Sequence, residues 1–511
     1  MSILKSSFVV SFWTLISRIL GFLRDVALAN KLGASAASDA FFIALTLPNL
    51  LRRLLAEGAF NVAFIPLFTE KLNGSAADRQ VFLNVVVSWM LVLLVSITLL
   101  AEIIMPALVA ILAPGFVDDP ERFNLTIALA RVTFPYLILI TMASLVGALC
   151  NSIKKFAFFA ATPTLLNVGL VGALFGLTPL GISPVWAATF GVPLGGIFQV
   201  LLMLYALYAH TPFRPQFTLQ NHPDTTLLLK RFWPAALGVG VLQISYMIDM
   251  MLASFLYEKA VTYLQFANRF YQMPLSLIGI SLSTVLLPHF ANAISKGDHH
   301  QANFSFQQAM LGGISLAMAA TVGIVVLADE MILTLLQHGA FTVDAATATA
   351  LAMAAYTLGL PGYILTKITS TAFFANGDTR TPVKAALYAL ALNLVANAVF
   401  MQFLGHVGIA LATAVSGWGH ALLLMFWLKK TGIFLVKWRH IQPIVLKSLP
   451  LCLFMAVTLW LYSLYVPFTG GFALEFLWLS GGIGLGVVLF TIGVQWLGIF
   501  DLKALARRRT K

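Results

Sequence analysis

Charge is what this chain has least of. Asp, Glu, Lys and Arg make up 10% of its 511 residues, and hydrophobic types 60%. Soluble domains carry about 25% charged residues, and a water-soluble chain of this length needs far more polar surface. A soluble fold is therefore excluded. Cysteine is almost missing too: Cys150 and Cys452 both sit in apolar runs, which gives no disulfide framework and no metal-ligand spacing. Motifs for chemistry are lacking. There is no GxxxxGK[ST] phosphate loop, no HExxH pair and no GxSxG elbow, which argues against an enzyme and against ATP as a driving force. The first hydrophobic segment contains Arg18 and no clean small-residue cleavage site, so it reads as a retained helix.

What the chain has in quantity is long apolar runs, and its mean hydropathy is +0.91. About twenty apolar residues cross a bilayer core of roughly 30 Å as a helix. The runs are continuously apolar instead of alternating, which excludes a membrane β-barrel. Read in order, the first seven spans cover 8–29, 37–67, 83–108, 131–151, 160–179, 185–208 and 234–256. The other seven cover 264–290, 309–329, 349–373, 385–402, 407–428, 444–465 and 473–500. That makes fourteen, or thirteen if 385–428 is a single run.

The net charge of +12 does not indicate nucleic acid here, because positive charge collects on cytoplasmic loops of membrane proteins. With the N-terminus inside, inner loops carry Lys71, Arg79, Lys154, Lys155, Arg214, Lys230 and Arg231, then Lys296, Arg380, Lys384, Lys429 and Lys430. The tail adds Lys503, Arg507, Arg508, Arg509 and Lys511. Outer loops are poor in positive charge, with acids such as Asp118, Asp119, Glu121, Asp329, Glu330 and Asp344 beside Lys31, Arg122 and Lys259. The alternation predicts an even number of spans and both termini in the cytoplasm.

An internal echo runs through the chain. LAPGFVDD near 115 matches LLQHGAFTVD near 339, FPYLILITMASLVGALCNS matches LPGYILTKITSTAFFANGD, Asp25 matches Asp249 and Gly195 matches Gly417, at offsets of about 222–226. A shift of six spans preserves orientation, so the halves read as parallel repeats. The expectation is an all-α polytopic membrane protein of fourteen transmembrane helices: two pseudo-symmetric six-helix halves, at 1–210 and 211–430, and two C-terminal helices with a basic tail at 431–511. The Gly195–Gly196 pair reads as close helix packing. Pro48, Pro163, Pro193, Pro234, Pro274 and Pro288 fall in or at the edges of spans and read as kinks.

Spans 1, 2 and 8 break the apolar pattern. In SRILGFLRD, Arg18 and Asp25 share a helix face and Arg24 points about 120° from Arg18. In LPNLLRRLLAEGAF, Asn49, Arg53 and Glu57 recur every fourth residue as a polar stripe, with Arg52 beside it. Span 8 contributes Arg269, flanked by Asn268 and Gln272. An ionised group at the bilayer centre costs at least about 2.5–3.5 kcal/mol, so these residues are expected to face a hydrated cavity. Blander readings exist for two of them: Arg24 can snorkel to the membrane surface, and Arg53–Glu57 can be a structural ion pair. Asp39 either pairs with Arg24 across the helices or caps the second helix. The candidate set of Arg18, Arg24, Arg52, Arg53 and Arg269 against Asp25, Asp39 and Glu57 is net cationic. An anionic substrate follows, and guanidinium forks favour phosphate.

The run from Arg18 to Gly33, RxxGxxRDxxxAxxxG, continues into SDAFFxAxxLPNLLRRLxAEGAFxxAFIP. Together with APGF at 113–116 and FPY at 134–136, it closely resembles the MurJ family (also called MviN), bacterial lipid II flippases. The likeness spans nearly the whole chain. It implies a fourteen-helix fold of the multidrug and polysaccharide exporter superfamily. It also implies movement of lipid II, the undecaprenyl-pyrophosphate-linked cell-wall precursor, from the inner to the outer leaflet of the cytoplasmic membrane. The family's cavity arginines match Arg18, Arg24, Arg52, Arg53 and Arg269, and its important acids match Asp39 and Glu57, with Asp25 beside them. The resemblance further implies that the last two helices form a groove for the prenyl tail.

No cofactor or metal is expected, and the driving force is expected to be the membrane potential or an ion gradient. Lipid II and membrane lipids are the expected partners, with cell-wall synthesis proteins as further candidates. Two other readings stand beside the flippase: an exporter of another prenyl-pyrophosphate glycan, and a membrane scaffold recruiting cell-wall enzymes through the basic tail.

Overall fold

Hydrocarbon offers no water to backbone N–H and C=O groups, so a chain made of apolar runs has to satisfy them within each segment. The computed structural model describes residues 3–430, Phe434, 438–465 and 471–498, without the side chains of 3–7, 56–59, 62, 235, 237–239, 241–242, 280, 438–441 and 443–445. Among the described residues the regular structure is helical, with no strand.

The chain opens with α1 (Ile3–Leu32) and α2 (Ala36–Arg52), a π-helical turn at Arg53–Gly58, and α3 (Ala59–Leu72). Next come α4 (Ala76–Ile103), α5 (Met105–Leu112), α6 (Pro120–Thr133) and α7 (Tyr136–Ser152). Then follow α8 (Phe156–Leu177), α9 (Pro184–His210), α10 (Pro223–Ser254) and α11 (Ala260–Pro274). After a second π turn at Leu275–Ile280 come α12 (Ser281–Ser295), α13 (His299–Val326), α14 (Ala328–Leu336), α15 (Val343–Thr357) and α16 (Leu360–Ala375). The last three are α17 (Arg380–Lys430), α18 (Trp438–Ser463) and α19 (Phe472–Trp496).

Ten helical runs among the described residues are long and apolar enough to cross a membrane. They include α4, α8, α9, α13, α17 and α19, while α1, the α2–α3 run and α10 are not among them. Exposed large apolar side chains such as Phe403, Leu453 and Trp496 are abundant, as a lipid-facing surface requires.

The order of elements repeats. Starts at 36 and 260 (α2, α11), 76 and 299 (α4, α13), 105 and 328 (α5, α14), 120 and 343 (α6, α15) and 136 and 360 (α7, α16) are offset by 223–224 residues. The two π turns, beginning at 53 and 275, are offset by 222. These match the offsets of the echo in the sequence. Each π turn follows a helical proline, Pro48 or Pro274, which withholds one N–H from the ladder.

Backbone contacts divide the chain into two compact units, Met1–Thr262 with Gly339–Phe341, and Tyr263–His338 with Thr342–Lys511. The three-residue segment joins the first unit because the Ala340 N–H donates to the Asn30 carbonyl at 2.8 Å.

In the first unit, stacked Phe60, Phe64, Phe68 and Phe82 knit α3 to α4. At one end of that stack the Lys71 Nζ lies 2.7 Å from Asp78 and 2.6 Å from Asp224, and His222 lies 3.0 Å from Asp78. This cluster ties α3, α4 and the start of α10 together. Helices α8 and α9 approach at glycines: a Cβ on Gly169 would sit 2.4 Å from the Gly195 Cα, and one on Gly195 would sit 2.8 Å from the Leu166 Cα. The close packing expected of Gly195 is thus present.

In the second unit, Phe290, Phe306 and Phe434 form an aromatic knot within a core that includes Ile364, Ile368 and Phe373 of α16. The 51-residue α17 doubles back at Gly405, whose φ of 55° and ψ of −130° lie outside the helical region. The Ser416 Oγ donates to the Ala389 carbonyl at 2.6 Å and the Asn393 Nδ2 to the Thr413 Oγ1 at 3.4 Å. These bonds make its two arms antiparallel.

The α8–α9 contact generates a prediction. Gly169→Ala should destabilise the protein by about 1–3 kcal/mol, the usual cost of overpacking. Gly172→Ala, where an added Cβ meets nothing within 4 Å, should leave stability unchanged or slightly raised. Thermal melting of the purified proteins in detergent compares the two, and equal melting temperatures would refute the close contact.

Candidate functional site

A cavity of about 490 Å³ opens in the first unit among α1, α2, α3, α7, α8 and α9. Its lining includes Ser17, Gly21, Arg24, Arg52, Asn61 and Asn167. Arginines lining a cavity need fixing in place, because a mobile guanidinium loses much of its advantage in fork-like recognition.

For Arg24 the fixing is explicit. Its Nε and Nη2 donate to the Asp25 Oδ1 at 3.0 and 2.7 Å, and its Nη1 donates to the Asn167 Oδ1 at 3.0 Å. Asn167 is buried on α8, and its Nδ2 donates to the Ser17 carbonyl of α1 at 3.2 Å. The neighbouring carboxylate neutralises the guanidinium and the amide orients it. Three of its five N–H donors are used in these bonds, and two remain for a ligand.

Arg52 ends α2, and its Nε donates to the Asn49 Oδ1 at 3.4 Å. This bond gives Asn49 a positioning role along its own helix. The next residue, Arg53, begins the π turn, is exposed, and donates to the Gln243 Oε1 of α10 at 2.7 Å. A stripe drawn at 3.6 residues per turn from Asn49 through Arg53 to Glu57 therefore does not continue as drawn, because a π turn closes i→i+5 bonds and takes more residues per revolution. The Glu57 side chain lies outside the described residues, and with it the expected Arg53–Glu57 pair.

Asp39 corrects one expectation. It is fully buried on α2 and pairs with Arg122 of α6, not with Arg24. Its carboxylate also accepts from the Lys259 N–H at 2.8 Å, the Thr262 N–H at 2.7 Å and the Thr262 Oγ1 at 2.5 Å. The Arg122 guanidinium lies 3.6 Å from the Phe116 ring centroid, a cation–π contact. The alternative, a cap on the second helix, falls to Ser35, whose side chain forms a capping box with Ser38.

Arg18 is exposed on α1, next to the cavity-lining Ser17. Arg269 belongs to the second unit, half-buried on α11, where the adjacent Asn268 accepts from Gln272 at 2.5 Å. The five predicted arginines thus divide four to one between the units, and Arg24 and Arg52 are the two that line this cavity. Sequence reasoning missed Arg122, Asn167 and Gln243. A signal existed for Arg122, an arginine in an outer segment otherwise rich in acids, but nothing marked Asn167 or Gln243 out from ordinary polar residues.

The family model described as "Lipid II flippase MurJ" matches residues 28–479. A protein of Rickettsia prowazekii (strain Madrid E), named "Probable lipid II flippase MurJ", is 36% identical over 426 residues, 83% of each chain. A solved structure titled "Lipid II flippase MurJ, inward closed conformation" superposes with a TM-score of 0.80 at 28% identity, covering 96% of this chain and 98% of that one. An inward-facing multidrug MATE transporter shares the fold at a TM-score of 0.63 and 16% identity, over 81% of this chain and 94% of its own.

The buried pair predicts that Arg122→Ala strands the Asp39 charge. Removing one partner of such a pair costs about 3–5 kcal/mol, so folded yield and melting temperature in detergent should both fall sharply. Adding Asp39→Asn to Arg122→Ala should recover part of the loss. A single variant as stable as the parent would show that the pair does not hold the two helices.

Proposed function

Since the chain belongs to the MurJ family of lipid II flippases, we propose a residue-level account of how it carries its substrate. The protein is a multi-pass membrane transporter, not an enzyme, and it translocates lipid II. In our reading the cavity holding Arg24 and Arg52 receives the pyrophosphate of that lipid. One observation carries this: Arg24 is oriented by Asp25 and Asn167 while keeping two donors, and Arg52 lines the same cavity. A pyrophosphate in a wet recess meets charge-assisted hydrogen bonds, and the sugars and peptide stay hydrated while the prenyl tail remains in lipid. Arg18 and Arg53 are the first unit's supporting cations, and Arg269 is the cationic candidate of the second.

We propose fourteen spans for the fold. The ten apolar runs are joined by α1, the α2–α3 run and α10, and the two arms of α17 count separately. The recurrence of elements at offsets of 222–224 residues supports two repeated six-helix halves, 1–210 and 211–430, followed by two C-terminal helices. The bias of positive charge toward alternate loops supports both termini in the cytoplasm, with the bacterial cytoplasmic membrane as the location. Transport proceeds by alternating access, with the helices carrying the π turns bending at those turns.

The cell interior is negative, so moving two pyrophosphate charges outward through about 100 mV releases roughly 4–5 kcal/mol. We take the potential or an ion gradient as the energy source. The C-terminal helix pair is our candidate groove for the prenyl chain, and cell-wall synthesis proteins are candidate partners.

Arg52→Ala should abolish lipid II flipping while the protein stays in the membrane. The measurement is leaflet-resolved labelling of lipid II in cells depleted of their own flippase and supplied with the variant. Precursor stranded in the inner leaflet is the expected result. Normal transport by the variant would refute the cavity assignment. Normal lipid II distribution without any functional copy, with another prenyl-linked glycan stranded instead, would point to the rival exporter.

A further inference from the structure

A second basic recess lies far along the chain from the arginine cavity, at the ends of the α17 hairpin. Because the arms run antiparallel from the turn at Gly405, their far ends, near 380–388 and 426–430, come together. There Tyr388 and Trp427 meet edge to face at 5.9 Å. Beside them opens a cavity of about 350 Å³ lined by Phe373, Asp378, Thr381, Lys384, Trp427 and Lys430.

The recess holds two lysines and one acid, Asp378, which feels the charge of Lys384. The Asp378 Oδ1 accepts from the backbone N–H groups of Arg380 and Thr381 at 3.0 and 2.9 Å, so that carboxylate serves the start of α17. The Lys430 Nζ lies 5.0 Å from the Phe426 ring centroid, and Lys384 is exposed on the first turns of the other arm. Two lysines against one committed acid leave a net positive recess. Exposed Val383, Leu387, Leu422 and Phe426 flank it on the way into the apolar part of the hairpin.

We propose that this recess binds the headgroup of an anionic phospholipid. Lys384 and Lys430 take the phosphate, Trp427 and Tyr388 sit at the level of the glycerol, and the acyl chains follow the exposed apolar side chains of the two arms. Each part has a physical reason. Lysines at a helix end reach a membrane surface with their charged tips, aromatic rings with a polar edge settle at the headgroup level, and basic pockets between spans collect anionic headgroups on the cytoplasmic side. Placement in the inner leaflet rests on the orientation proposed above, whereas the binding chemistry does not. Free phosphate shares the headgroup's charge but has no chains to lie along the arms.

The test uses the full-length protein in detergent and native mass spectrometry with added phosphatidylglycerol, phosphatidylcholine or inorganic phosphate. The parent should retain phosphatidylglycerol well above phosphatidylcholine. The double variant Lys384→Glu/Lys430→Glu should lose roughly tenfold or more of that retention with an unchanged melting temperature, and Trp427→Ala should lose part of it. Lys296→Glu, a charge reversal elsewhere in the same unit, should change nothing. Equal retention by parent and double variant, or an equal loss in Lys296→Glu, would overturn the site. Displacement by millimolar inorganic phosphate would overturn the lipid in favour of the free anion. None of these outcomes depends on lipid II transport, so failure here leaves the flippase assignment standing, and failure of Arg52→Ala to block flipping leaves this site standing.

Discussion

Everything in the first unit turns on one constraint: a guanidinium within an apolar helical bundle persists only where carboxylates, amide oxygens or water answer its charge. Arg24 and Arg122 meet that constraint in two different ways. Arg122 is enclosed against Asp39 and an aromatic ring, so its charge is consumed in holding helices. Arg24 is answered by Asp25 and Asn167 yet keeps contact with a cavity. The first arrangement is a strut, and the second leaves donors facing a cavity. Residue type alone does not separate them.

The same distinction explains why the acids matter. Asp39 gathers the Arg122 guanidinium, the Thr262 hydroxyl and the backbone amides of Lys259 and Thr262, so one carboxylate ties α2 and α6 to residues 259–262. Asp25 does a smaller task, setting the plane of its neighbour's fork. On the proposed function, an anion arriving in the cavity meets an arginine whose orientation entropy has already been lost, which favours tight recognition. It also meets a nearby carboxylate that holds the resting charge down, which keeps the empty cavity tolerable.

Much of the architecture was legible beforehand because hydrophobic length is a direct physical requirement of the bilayer. Most apolar runs read from the sequence are helical, and ten among the described residues are long and apolar enough to span; the glycine contact at Gly195 was anticipated, and the 222–226 echo reappears in helix starts and π turns. The polar residues were legible as a set because charge in an apolar span is conspicuous. Their pairings were not. Which of several acids meets Arg24 depends on helix rotation and on residues more than a hundred positions away, such as Asn167, that carry no charge to advertise themselves. The π turn at Arg53 was hidden for another reason: a 3.6-residue template applied to LPNLLRRLLAEG assumes the ladder it sets out to find.

The turn at Gly405 shows how much direction can depend on one missing atom. Its dihedral angles are closed to any residue bearing a Cβ, and they reverse the heading of the polypeptide between the two arms of α17. Were the backbone to run straight there, the second arm would no longer return. The two arms would then no longer lie side by side. Handedness at a single glycine thus decides the heading of the second arm.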